Sequence, residues 1–319
     1  MSNKVLGFSV ALAALLVVPM SDAKAQSLAA QNTYSGSTVS SQDSIMAATP
    51  VTPDAFDIET IRHNAVLAAE TNLNISGAFL HTQYHENAQP GTGDDENGIT
   101  GGFGVGASLL LPRMLVFPNV DLYTALMFNF TAGNLTYGGH YLVSGLPAQA
   151  SDRAVFDRIE ARFGLGFPLI GGWEAIPFIA GGYQGWNRNI ENKGQIGTDE
   201  FYNTGLVGAG LKLDLPLTPR LVASATAEAM ALFAGNIALN NVNINHGLGG
   251  SAQENADIGL DYAVSGPLHA FTTLSWSHFN YAGNKPTLST YNASCSCEYF
   301  EPLSTTTQFG ANVGVAYSF

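Results

Sequence analysis

Nine charged residues stand at the polar positions of segments that alternate polar and apolar side chains. They are Asp121, Arg158, Glu160, Arg162, Lys212, Asp214, Glu228, Asp257 and Asp261. Arg158, Glu160 and Arg162 follow one another at intervals of two, as do Lys212 and Asp214. In an extended chain, residues two apart project from the same face. Charges gathered on an enclosed face are costly unless they pair or meet water. Two kinds of chemistry follow. Paired with one another, these groups would fill an interior as a salt-bridged plug. Left partly hydrated, they would line a narrow conduit with a charged constriction.

Other groups carry weaker signals. His81, His85, Asp94, Asp95, Glu96, His140, Asp152, His246 and His278 fall near the ends of the alternating segments. None shows a nucleophile–base spacing, so hydrated loop residues are the preferred reading. The run Asp94-Asp95-Glu96 lacks the spaced ligands of a calcium loop and reads as a solvated stretch. Cys295 and Cys297 flank Ser296. In an oxidising compartment they could form a tight local disulfide or stay unpaired. Two thiolates do not complete a zinc site. The sequence pattern thus gives no metal set, catalytic residue or cofactor motif. The formal charge of −13 argues against nucleic acid as a partner, because that ligand needs a basic surface.

The elements that position the nine charges are strands. The last is the clearest: Phe309, Ala311, Val313, Val315, Tyr317 and Phe319 alternate with Gln308, Gly310, Asn312, Gly314, Ala316 and Ser318. One face is apolar with aromatic ends and the other is small and polar, which suits lipid outside and a polar lumen inside. Only 12% of residues are charged, while mean hydropathy stays at +0.11 because polar residues interleave with apolar ones. The same alternation recurs around Phe103, Phe128, Ile159, Val207, Ala227 and Ile258. Asp157 breaks it and should lie near the membrane edge. Leu73–Tyr84 and Glu174–Trp186 alternate less cleanly, the latter because of Pro177, and Leu268–Tyr281 reads as switching face between Trp276 and Phe279. Trp173, Tyr183, Trp186, Trp276, Tyr281, Tyr317 and Phe319 fit interfacial girdles.

Short joints near 112–118, 168–172, 216–219 and 265–267 alternate strictly with long polar ones at 85–99, 132–151, 187–199, 235–252 and 282–304. Short turns belong on the periplasmic side and long loops outside. The expectation is an all-β fold: a transmembrane, antiparallel, up-and-down barrel of ten strands over 72–319, with eight or twelve as the alternatives. Closure removes the unpaired edges that hydrocarbon cannot satisfy.

Ahead of the barrel, Lys4, the apolar run 5–20 and Ala23-Lys24-Ala25 read as a signal peptide over 1–25. Residues 26–71 read as a flexible periplasmic extension. Within it, 54–70 has helical spacing through Phe56, Ile58, Ile61, Val66 and Leu67. That helix could cap the periplasmic mouth or enter the lumen, but on pattern alone a linker helix is preferred.

The segment from Gln308 to Phe319, with the glycine-rich strands at 101–106 and 177–183, resembles the small bacterial outer-membrane barrels of the OmpA and opacity-protein type. The resemblance covers roughly 72–319 and does not extend to a cell-wall tether. It implies residence in the outer membrane, lipid as a partner, and assembly by the barrel-assembly machinery reading Phe309, Val313, Val315, Tyr317 and Phe319. The expected function is a non-enzymatic structural barrel or a narrow porin-like conduit. The alternative is a surface-binding or adhesin role in which external loops take an unidentified extracellular ligand. An omptin-like or lipid-modifying rim enzyme ranks third.

Overall fold

The computed structural model describes residues 55–87, 93–112, 119–140, 146–191, 198–239, 244–285, 287–292 and 295–319. Helix α1 (Ala55–Glu70) precedes ten long strands. These are β1 (Asn72–Glu86), β2 (Asp95–Leu111), β3 (Asp121–His140), β4 (Pro147–Pro168) and β5 (Glu174–Glu191). They continue as β6 (Thr198–Thr218), β7 (Leu221–Leu239), β8 (Ser251–Ser265), β9 (Leu268–Tyr281) and β10 (Ser304–Ser318). Sequential strands pair antiparallel, and β10 returns to β1, with Asn72 opposite Ser318 and Glu86 opposite Ser304. The sheet is therefore a closed ten-stranded barrel. The proposed signal peptide, the segment 26–54 and the joint 113–118 lie outside the described residues, as do the side chains of Cys295 and Cys297.

Alternation decides which side chains face out. Phe79 is 60% exposed, Ile179 64% and Val313 61%, all on the outer surface. Their neighbours in sequence, Ala78, Phe178 and Ala180, are buried inside. Phe309, Val315, Tyr317 and Phe319 share the exposed outer face. A closed barrel with an apolar outer belt and a polar interior suits hydrocarbon outside, because closure pairs the strands all round and leaves no open edge. The chain is a closed β-barrel whose outer belt suits lipid and whose interior is polar.

Four sequence expectations need correction. First, β9 does not switch face. Phe271, Phe279 and Tyr281 all point inward, with Trp276 and His278 on the outside. Second, Pro177 makes no bulge and does not shift the parity of β5, although the pairing with β4 skips Pro177 and Ile176, a ladder position that needs no donor. It faces outward, opposite Leu211, and the inward set runs unbroken from Glu174 to Arg188. Third, Trp186 and Tyr281 are not girdle residues, since each is only 2% exposed within the lumen. Fourth, the long loops are shorter than the polar composition suggests. Pairing continues into them, so β3, β4 and β6 reach 20, 22 and 21 residues. A membrane-spanning strand needs only about 9–11, so the wall stands well clear of the bilayer.

The parity does break in β7. Leu232 faces inward, Ala234 adopts a positive φ of 50°, and from there Gly235, Ile237 and Leu239 face inward. An inserted residue of this kind is a bulge and shifts every later side chain to the other face. A short strand, Ile244–Gly247, pairs with the end of β7, and a hairpin of Thr287–Asn292 and Cys295–Tyr299 rises from the loop before β10.

On the outer wall, Asp157 stands level with Gly185 and Asn203. Tyr183 donates a hydrogen bond to Asn203 there. The residue that interrupts the apolar series thus belongs to a polar patch.

Candidate functional site: the barrel lumen

All nine sequence-predicted charges face the lumen, but they form two groups. The middle group joins β4, β7 and β8. Arg158 donates to Glu160 at 2.5 Å, and Arg162 donates to the other Glu160 oxygen at 2.6 Å. Arg162 also reaches Glu228 at 3.0 Å and approaches Asp257 at 3.9 Å. Its guanidinium lies 4.8 Å from the centre of the Phe178 ring. These charges are paired, which the interior requires. A cavity of about 360 Å³ opens beside them, floored by Glu70 and Lys212 and roofed by Trp186 and Tyr281. Glycine makes part of that room: a Cβ at Gly104 would come within 2.7 Å of both Ser76 Oγ and Asn129 Oδ1.

The lower group sits at the tight-turn end, where α1 crosses the mouth. The helix touches β2, β6, β7, β8 and β10, and its Val66 is fully buried. It is therefore docked into the barrel rather than serving as a free linker. Lys212 donates to Glu70 of the helix at 2.5 Å and lies 3.7 Å from Asp214. Asp261 meets His269 at 2.5 Å. Asp121 and Glu174 flank His63 of the helix at 3.5 and 3.6 Å. Among the described residues these three could hold a metal ion.

A third group, at the long-loop end, escaped the sequence reading. Its centre is Arg188, 1% exposed. The guanidinium donates twice to Glu96 Oε1, at 2.9 and 2.6 Å, and once to Glu200 at 2.7 Å. It also donates to the Tyr202 hydroxyl at 3.0 Å, which in turn donates to Glu301 at 2.6 Å. Rings enclose the charge. Arg188 lies 4.6 Å from the Tyr84 ring centre and 5.2 Å from that of Trp186. Phe156, Trp186, Tyr202 and Tyr281 stack in succession at 5.1, 5.5 and 5.4 Å. Tyr84 belongs to β1, Trp186 to β5 and Tyr281 to β9, so the layer crosses the whole lumen. The parity of β5 was the signal that could have found it. Arg188 is two residues beyond Trp186, on the same face.

The rim residues divide in the same way. Glu96 and Asp152 turn inward and are buried. Asp94 leans inward too and accepts a hydrogen bond from Tyr137 at 2.7 Å. Burial raises its carboxyl above the ordinary range, against the lowering effect of that bond. The acidic run is therefore not a solvated stretch: only Asp95 stays outside, paired with exposed His85 at 2.5 Å. His81 and His278 also lie on the outer face, beside Asn97 and Thr307.

No family model matches the chain, and no curated protein matches it in sequence. Among solved structures, the outer-membrane protease OmpT of Escherichia coli is similar at 11% identity and a TM-score of 0.45, over 78% of this chain and 97% of that one. The toluene transporter TodX of P. putida is similar at 10% identity and a TM-score of 0.30, over 80% and 92%. The attachment protein Ail of Yersinia pestis is similar at 9% identity and a TM-score of 0.30, over 78% and 99%. Likeness at this level assigns no activity.

Proposed function

We propose that this protein is a non-enzymatic structural barrel whose lumen is sealed by two layers and whose tall outer wall displays the long loops. The carrying observation is the Arg188 layer, in which one fully enclosed guanidinium ties β5 to β2 and β6 inside a stack of rings that spans the lumen. A hydrated pore would need this layer to part, which would leave Glu96 and Glu200 without their common cation. Barrels near eight strands are narrow enough to be filled by side chains, whereas aqueous porins use about sixteen.

The test is planar-bilayer conductance of the refolded protein, with heat-modifiable gel mobility as the check on folding. The expected result is a folded barrel with no unit conductance. Discrete, reproducible openings would overturn the sealed reading in favour of a narrow conduit through the Arg158–Arg162 network.

A surface-binding role is the second reading. The observation that favours it is the height of β3, β4 and β6, which lifts a paired β-surface away from the bilayer. Exchanging the segments read from the sequence as external loops, within 132–151, 235–252 or 282–304, in a barrel that still folds should abolish attachment to cells under this reading.

A further inference from the structure

We infer that His63, Asp121 and Glu174 form a site for one divalent metal ion of the zinc class, and that this ion fastens α1 into the tight-turn mouth. The three residues come from three elements: α1, the first position of β3 and the first position of β5. The His63 ring has Asp121 Oδ2 3.5 Å from Nε2 and Glu174 Oε2 3.6 Å from Nδ1. One ligand atom from each residue lies within 4.8 Å of the others. A small ion bound at about 2.0–2.2 Å takes one ring nitrogen, so binding turns the His63 ring to bring that nitrogen toward both carboxylates and draws the three ligands closer than this spacing.

A separate observation points to a ligand. The Glu174 side chain is 0% exposed, and neither of its carboxylate oxygens has a hydrogen-bond partner. A buried carboxylate without donors is costly, and a metal ion relieves that cost. Space is reserved beside it as well. Gly166 lies where a Cβ would overlap Glu174 Oε1 and crowd Asp121. Lys212 does not do the work of a counter-charge here, because it is engaged by Glu70 and Asp214.

The donor set selects the class of ion. One imidazole with two carboxylates suits zinc or a neighbouring divalent transition metal, whereas calcium and magnesium prefer oxygen alone. His63 is 24% exposed, so an ion can enter from the mouth. Two ligands belong to the wall and one to the helix, so binding couples helix docking to metal occupancy.

The experiment uses the full refolded chain, stripped with chelator and dialysed against Zn²⁺ alone or Co²⁺ alone. One ion per chain is expected, with a Co²⁺ spectrum free of thiolate charge-transfer bands. Loss of an outer-shell partner already weakens metal sites by about 10–100-fold, so His63→Ala and Glu174→Gln should each weaken binding by at least about tenfold. Metal should also slow proteolysis within 55–70 in the intact protein and not in His63→Ala. Should Glu174→Gln fail to give the heat-modifiable barrel, His63→Ala decides alone, because it lies outside the wall. Absence of stoichiometric binding, or affinity unchanged by His63→Ala, would overturn the inference. So would binding that disappears with Cys295→Ser and Cys297→Ser instead.

Discussion

The two ends of the lumen are crossed by different elements, and the two proposed seals differ accordingly. At the long-loop end, Arg188 and its rings come from wall strands, with Glu301 joining from the segment before β10, and the guanidinium hydrogen-bonds both of its carboxylate partners. At the tight-turn end, closure is borrowed from α1, through Val66, Glu70 and His63, and Glu174 and Asp214 keep carboxylate oxygens without hydrogen bonds. The first seal is built into the barrel. The second depends on a docked element that can in principle leave. Buried charge is well accommodated only where geometry and hydrogen bonding satisfy both partners. The upper group also keeps unbonded oxygens, on Glu96 and Asp152. What separates the two ends is that the Arg188 pairs join wall strands to one another, whereas the lower pairs join the wall to α1.

The largest expected effect comes from breaking the upper layer. Arg188→Ala strands Glu96 and Glu200 in a buried site, and losing one partner of such a pair typically costs about 3–5 kcal/mol. Urea unfolding followed by gel mobility should show the loss. Next comes Tyr202→Phe, which removes a donor to Glu301 and an acceptor for Arg188 while keeping the ring stack. Leaving buried polar groups unsatisfied costs about 1–3 kcal/mol, so this variant should fall between Arg188→Ala and the wild type. If neither variant destabilises the barrel, the rings rather than the charge pairing hold the layer together. The smallest effect belongs to His85→Ala. Its pair with Asp95 is exposed on both sides, and such surface pairs contribute about 0–1 kcal/mol. A large loss there would show that the outer rim carries stability now assigned to the interior.

Metal sharpens the same contrast. Chelator should loosen α1 and leave the upper layer untouched, so hydrogen exchange should rise at Val66 and Ala69 and stay unchanged at Trp186 and Arg188. Equal responses at both ends would mean that the two closures are a single cooperative unit.

The wall was legible in the sequence because a barrel strand repeats with period two and one face must meet lipid. Parity alone turns Arg158, Glu160, Arg162, Lys212 and Glu228 inward, the side on which the structure places them. The upper layer was not legible for a physical reason. Above the bilayer the outer face no longer needs to be apolar, so the alternation around Asn187, Arg188 and Asn189 fades and reads as loop. Aromatic residues misled for a related reason: Trp186 and Tyr281 suit a membrane interface by type, and only the strand register shows that they point inward. Helix α1 had the right spacing over 54–70, but docking depends on contacts with β6 and β2 that no local pattern contains. His63, Asp121 and Glu174 are far apart in sequence and meet only because α1 lies across the starts of β3 and β5.

The central claim is that two independent seals lie in series, and conductance of four matched barrels tests it most directly. The set is the intact protein, a form lacking the residues up to 70, the double variant Arg188→Ala/Trp186→Ala, and the combination of both changes, each confirmed as folded by heat-modifiable mobility. The account predicts silence from the first three and discrete openings only from the combination. Steady conductance from the intact protein, or from either single change, would contradict it.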